Sequence, residues 1–249
     1  MATITVIQFR VSDASLRQEQ ASIRREINPS ITLKFLSALD ETLDWHFPET
    51  IISGSNGVIL GGSGDFDFDG GRDMEDPARK ISYELLGKLR PLFAYLFEHD
   101  IPTLGICYGH QMLGAFAGAQ VHSDLTQKKT KSHEVKLLVD TNDHFLFSGM
   151  PDSFHAHYGH KDVLDRIPDG AVLLMSGGEA CKVSALQYKK NIYTVQFHPE
   201  LTYHDVVERI QSSPGYLPEG ATIEEIFKDD GSSNTILKNF GTFVAHRHD

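Results

Sequence analysis

Cys107 stands within Gly105-Ile106-Cys107-Tyr108-Gly109-His110-Gln111, and far downstream come Phe197-His198-Pro199-Glu200. A thiol, an imidazole and a carboxylate are the parts of acyl transfer through a cysteine nucleophile. The base removes the thiol proton and later delivers it to the leaving amine, while the carboxylate fixes the tautomer and stabilises the imidazolium. The apolar run Ile101 to Ile106 reads as a buried strand and Gln111 to Ala117 as the opening of a helix, so the sulfur is expected on a sharp turn. Gly105 and Gly109 flank it at the G-x-C-x-G spacing, the thiol counterpart of the nucleophile elbow, where glycine tolerates strained backbone and close approach. A helix N-terminus and a neighbouring imidazolium both favour thiolate. Pro199 argues for extended backbone between His198 and Glu200, which would project both side chains from one side. A lone cysteine is usually an inert small hydrophobe, and a lone histidine among 13 is usually on the surface. The reading rests on the combination, because elbow, base and carboxylate each have local sequence suited to the role.

On these residues the chain resembles a class I glutamine amidotransferase, the glutaminase module with a Cys-His-Glu triad, and most of all the glutaminase part of GMP synthase and its stand-alone relatives. The resemblance covers about residues 50 to 201. Val58-Ile59-Leu60-Gly61-Gly62-Ser63 is similar to the family's strand ending in a Gly-Gly turn. It implies that the N–H groups of Gly62 and Tyr108 are the two oxyanion donors, with Gly61 beside the substrate. Gln111 matches a glutamine on the family's elbow helix, and Gln196-Phe197-His198-Pro199-Glu200 matches its base motif residue by residue. Tyr158-Gly159-His160-Lys161-Asp162 loosely resembles a block beside the glutamine pocket, which makes His160, with Gln111, a candidate for substrate binding. The implied chemistry is attack of Cys107 on the side-chain amide of glutamine, release of ammonia, and hydrolysis of the thioester. It requires no metal and no organic cofactor.

The chain also departs from that pattern. Ser63 stands where the family usually has proline, which is expected to loosen the oxyanion turn. An acidic, glycine-rich loop follows through Asp76. Its Asp65, Asp67, Asp69, Gly70, Asp73 and Asp76 echo a calcium loop, yet Arg72 and Asp76 occupy positions where an apolar residue and a bidentate glutamate belong. A solvated, mobile lid is the favoured expectation, with no metal assigned. The 48 residues after Leu201 exceed a minimal module.

The elements that must position these groups alternate between short apolar runs and helical patterns, the mark of an α/β fold with an open, mostly parallel central sheet covered by helices on both faces. The resemblance makes it flavodoxin-like. Strands are expected at Ile4 to Phe9, Thr32 to Leu36, a run ending at Gly61, Ile101 to Ile106, Ala119 to His122, Glu134 to Val139, Ala171 to Met175, Ala185 to Tyr188 and Ile192 to Phe197, several of them antiparallel. Leu16, Ile23 and Ile27 repeat at helical spacing, and Pro77 opens a helix that Pro91 should kink or break. In the tail, Val206, Val207 and Ile210 form a short stripe that Ser213-Pro214-Gly215 ends. Thr222 and Glu225 form a capping box, and Ile236, Leu237, Phe240, Phe243 and Val244 form the face of a last helix. One domain over 1–249 is expected, a core of about 1–201 with a helical extension of about 202–249. In such sheets the crevice lies beyond the carboxyl ends of the strands, where Gly62, Cys107 and His198 would converge.

A net charge of -11 leaves no basic stripe for nucleic acid. Two cysteines that need not pair fit a reducing cytoplasm, and Cys181 reads as incidental. No charged segment precedes an apolar core at the start and no long apolar run occurs, so neither export nor a membrane partner is expected. No P-loop is present, so any amination needs a synthetase partner. The favoured function is a glutaminase acting alone or within a larger complex, with a homo-oligomer also open. The alternatives are a γ-glutamyl peptide hydrolase or transferase with the same triad, and a silent glutamine-sensing or regulatory component.

Overall fold

The computed structural model describes residues 1–127, 130–141, 144–212, 217 and 220–247. Its elements begin with β1 (Thr3–Gln8), α1 (Asp13–Glu26), β2 (Thr32–Ser37), α2 (Pro48–Ile51), β3 (Gly57–Leu60), α3 (Pro77–Glu98), β4 (Thr103–Ile106) and α4 (Tyr108–Phe116). There follow β5 (Val121–Ser123), β6 (Ser132–Leu137), β7 (Ser153–His157), β8 (Asp162–Leu164), β9 (Val172–Ser176), β10 (Ala185–Gln187) and β11 (Ile192–Val195). The tail carries α5 (Tyr203–Ser212), α6 (Ile223–Ile226) and α7 (Thr235–His246).

Among the described residues nine strands form one sheet in the order β2-β1-β3-β4-β11-β10-β9-β6-β7, while β5 and β8 pair separately. The strands from β2 to β11 run parallel, and those from β10 outward are antiparallel. β3, β4 and β11 are buried throughout, which is why they read as short, mainly apolar runs, with Thr103 and Thr194 the buried polar exceptions. One face packs on α1 and α7 through Ile23, Ile236, Leu237, Phe240 and Val244. The other packs on α3 and α4 through Leu85, Leu89, Phe93, Met112 and Leu113. Gly57↔Ile4 and Leu60↔Gly105 set the register, and Val195 lies opposite Ile106, so the carboxyl ends of four neighbouring strands finish at one edge.

Several expectations are corrected. α3 runs unbroken through Pro91. The proline removes one N–H donor, but Leu85 and Leu89 before it and Leu92, Phe93 and Leu96 after it are all buried on the same core, which holds both halves in one helix. The expected strand at Ala119 to His122 becomes β5 and leaves the main sheet to pair with β8. α2, β7 and β8 had no clear sequence signal, being short or interrupted by histidines. In the tail, the Thr222 N–H donates to Glu225 Oε2 at 2.9 Å. The break anticipated at Ser213-Pro214-Gly215 lies outside the described residues. Among the described residues no helix is long and apolar enough to cross a membrane.

The acidic loop is tied down. Asp67 accepts from Arg72 and Lys161, Asp69 from Arg79 and the Ser123 N–H, and Asp76 caps α3 at the Ala78 N–H. Each carboxylate is thus directed at a protein donor, and among the described residues no set of three or more metal-ligating side chains converges. Ser63 ties down the residues that follow the Gly-Gly turn: its Oγ accepts from the N–H groups of Asp65 and Phe66, both at 3.1 Å. The expectation of a solvated lid holds only in part: Asp65, Gly71 and Asp73 to Glu75 are exposed, whereas Phe66 and Phe68 are buried, with the Phe68 ring stacked 5.6 Å from that of Tyr108. Phe68→Ala is expected to cost about 3 to 5 kcal/mol, as for other buried aromatics. Urea denaturation checks this, and an unchanged midpoint would return the loop to the solvent.

Candidate active site

Each site residue leaves the end of a parallel strand. Arg10 follows β1, the Gly61-Gly62 turn follows β3, Cys107 follows β4, and the His198 segment follows β11. Cys107 has φ 51° and ψ -95°, and it and Asp100 are the non-glycine residues with positive φ among those described. Such backbone stores about 1 to 3 kcal/mol and persists only where the surroundings enforce it. Here the enforcement is visible: the Cys107 N–H donates to Val195 O at 2.8 Å, and the Gly109 N–H donates to Gly61 O at 3.1 Å. Both flanking glycines are required. A Cβ on Gly105 would lie 2.9 Å from the Gly109 carbonyl, and one on Gly109 only 2.3 Å from Leu60 O.

His198 and Glu200 meet with Nδ1 2.7 Å from Oε1, both almost fully buried. The geometry differs from the extended segment expected, because β11 stops at Val195 and the side chains are brought together by a turn. In that turn the Leu201 N–H donates to His198 O at 3.3 Å. Burial alone would depress the His198 pKa, but the Glu200 carboxylate and the Cys107 sulfur raise it from 6.5 to about 9. Burial alone would raise the Glu200 pKa, but His198 and, more remotely, Arg209 hold it below the ordinary carboxylate range.

The raised value has a stability consequence. With the folded pKa above the unfolded one, the contribution is fully present below about pH 6.5 and is lost as pH rises through about 9. Wild-type stability measured by urea denaturation is expected to fall between pH 6.5 and about 9. The same series on His198→Gln should lack that component.

The other anticipated residues lie close by, in differing situations. The Tyr108 N–H is in the first turn of α4, where a helix leaves its amide donors without intrahelical acceptors. The Gly62 N–H donates to Glu19 Oε1 at 3.2 Å. Gly61 spends its N–H on Ile7 O and its carbonyl on Gly109. Gln111 Nε2 donates to Asp162 O at 2.9 Å and lies 3.4 Å from Gln196 Oε1, while Gln196 Nε2 reaches Cys107 Sγ at 3.7 Å. His160 is buried, with Nδ1 3.2 Å from Asp162 O. Cys181 is a buried thiol directed at Val183 O.

Sequence reasoning passed over four residues that frame the site. Arg10 and Glu19 form a buried ion pair at 2.9 Å. Arg209, on α5, lies 4.0 Å from Glu200. Asn234 Nδ2 donates to the carbonyls of Pro199 and Leu201, which anchors the turn to the tail. Only Arg10 carried a usable signal, since it directly follows a strand at the end where crevices form. A cavity of about 860 Å³ opens beside His198, lined in part by Arg10, Ser63, Tyr158, Asp205 and Arg209.

Residues 57–208 match the model of the class-I glutamine amidotransferases, and the chain belongs to that family. It is 36% identical over 116 residues to the glutamine-hydrolyzing GMP synthase of Caldicellulosiruptor saccharolyticus, a match spanning 46% of this chain and 22% of that one. With one GMP synthase subunit from Methanobrevibacter smithii it shares 33% over 134 residues, 53% of this chain and 61% of the relative. The match thus spans under a quarter of the first relative and about three fifths of the second. With the Methanopyrus kandleri counterpart of that subunit it shares 30% over 157 residues, 63% of this chain and 72% of the relative. A glutamine amidotransferase from Thermotoga maritima has the same fold, with TM-score 0.69 at 18% identity over 99% of this chain and 97% of that one.

Proposed function

We propose that the chain hydrolyses the side-chain amide of glutamine, with Cys107 as nucleophile, His198 as base and acid, and Glu200 orienting His198. Family membership supports the reaction class. The observation that carries the residue assignment is Cys107 on a strained elbow beside a buried imidazole held 2.7 Å from a buried carboxylate. The sulfur bonds to the amide carbon, and the carbonyl electrons move onto oxygen. When the tetrahedral adduct collapses, the carbon–nitrogen bond breaks and His198 protonates the departing ammonia. Water, losing a proton to His198, cleaves the thioester to glutamate and restores the sulfur. The Tyr108 N–H, at a helix start, is suited to holding the oxyanion. Gln111 acts on this reading through Gln196, which touches the sulfur.

Relatives that are subunits of a GMP synthase favour delivery of the ammonia to a separate synthetase. A second reading, γ-glutamyl compounds with larger amine leaving groups, draws on the cavity of about 860 Å³ next to the site, which reaches His198 but is not lined by Cys107 and would hold the leaving group's far end. The chain is read as one domain whose tail packs on the site. The test is release of glutamate and ammonia from glutamine, and of glutamate from γ-glutamyl peptides, by wild type beside Cys107→Ala. Turnover of glutamine supports the first reading and preference for peptides the second. Activity retained in the variant would overturn both.

A further inference from the structure

Glu19 is 1% exposed and accepts three hydrogen bonds: Gly62 N–H and Arg10 Nε on Oε1, at 3.2 and 2.9 Å, and Gln8 Nε2 on Oε2 at 2.8 Å. Gln8 is itself oriented by Gln20, whose amide donates to Gln8 Oε1 at 2.9 Å. A buried carboxylate so held does not give up its donors cheaply. The Gly62 N–H is therefore committed to Glu19, whereas the oxyanion of an acyl-transfer reaction needs donors aimed at it in advance.

The same ion pair supplies a replacement. Arg10 is 7% exposed, its Nε is spent on Glu19, and its Nη2 is buried without a protein partner. That nitrogen borders the same space beside Gly62 as the reacting groups. A Cβ placed on Gly62 would lie 3.4 Å from Arg10 Nη2, 3.1 Å from His198 Cε1 and 3.7 Å from Cys107 Cβ. A buried donor left unpaired is costly, and its orphan state is explained if substrate completes it.

We propose that Arg10 is a further catalytic residue, whose Nη2 donates a charged hydrogen bond to the oxyanion formed on attack by Cys107, while Glu19 holds the guanidinium in place. The proposal rests on the assignment of Cys107 as nucleophile. Burial works against the charge on Arg10, but Glu19 and Glu200 keep its pKa raised, so the donor is cationic throughout the working range. A charge-assisted hydrogen bond is roughly twice as strong as a neutral one, which offsets the loss of the Gly62 amide. Glutamine's own carbonyl oxygen carries little charge, so the interaction strengthens as the tetrahedral adduct forms and acts on kcat more than on KM.

The experiment uses the full chain as wild type, Arg10→Gln, Arg10→Lys and Glu19→Gln. It measures kcat and KM for glutamine, affinity for L-glutamate γ-semialdehyde, and the alkylation rate of Cys107 by iodoacetamide. The semialdehyde adds the cysteine sulfur reversibly and carries the tetrahedral oxygen without turnover. Arg10→Gln is expected to lower kcat by about 10²- to 10³-fold and semialdehyde affinity by a similar factor. KM and the alkylation rate should stay within about threefold of wild type. Arg10→Lys should recover part of kcat, and Glu19→Gln should lower it.

Wild-type kcat in Arg10→Gln would overturn the proposal. So would a rise confined to KM, which would make Arg10 a ground-state contact, or loss of alkylation alongside kcat, which would make it structural. A Glu19→Gln variant faster than wild type would also overturn it, because Glu19 would then be a lock on the Gly62 amide. If wild-type chain turns over neither glutamine nor γ-glutamyl peptides, the proposed function fails. The semialdehyde affinities of wild type and Arg10→Gln still decide the role of Arg10.

Discussion

Cys107→Ala is expected to lower glutamate release from glutamine by at least about 10⁴-fold, since removing the nucleophile of a triad leaves only binding and electrostatic catalysis. The fold should hardly notice. Cys107 is buried and its sulfur fills little volume, so the loss is about 1 kcal/mol. Alanine inherits the same φ of 51°, leaving the backbone strain unchanged. Ammonia and glutamate assays beside urea denaturation check both parts. Substantial activity in the variant would remove the covalent mechanism, and a collapse in stability would make Cys107 a packing residue first.

Gly109→Ala should damage both activity and stability. The added methyl would sit 2.3 Å from Leu60 O and 2.8 Å from Leu60 Cβ, so α4 must move away from β3. That contact is backbone and has no side chain to rotate aside. A displacement near 1 Å of the helix that begins after Cys107 is expected to lower kcat by roughly 10²-fold, as for misplaced reacting groups generally. Overpacking adds a stability loss of about 1 to 3 kcal/mol. Gly87 is the contrasting case, an interior residue of α3 with nothing within 4 Å of its Cβ position. There alanine should stabilise by about 0.5 to 1 kcal/mol without touching kcat. Equal effects at the two glycines would mean that helix propensity, and not close approach to β3, governs the elbow.

Much of the frame was legible because short-range patterns are themselves physical constraints. The run Ile101 to Ile106 carries the first glycine of G-x-C-x-G and leads into a helical pattern, which fits a buried strand turning into a helix, and β4, Cys107 and α4 follow that order. His198 and Glu200 are two residues apart and carry their own partner within reach, whatever the rest of the chain does. Where local signals competed with distant packing, they lost. Pro91 would break an isolated helix, but five buried side chains on a single core outweigh one missing N–H. The Asp65 to Asp76 run reads as solvated by composition and its second half is, yet Phe66 and Phe68 carry its first half onto Tyr108.

By itself the sequence determined the strand and helix alternation, the residue types at the elbow, and the pairing of an imidazole with a carboxylate across one proline, because each depends on neighbours within a few positions. Only the tertiary structure decided which groups surround them. Strand order sets the ends of β1, β3, β4 and β11 side by side, and so brings Arg10 and Gly62 to Cys107 and His198 across long stretches of chain. The same packing buries Glu19 against Gly62 and the tail's Arg209 near Glu200. Charge placement of this kind has no sequence period, since it arises from which elements are driven together by burial and not from spacing along any one of them.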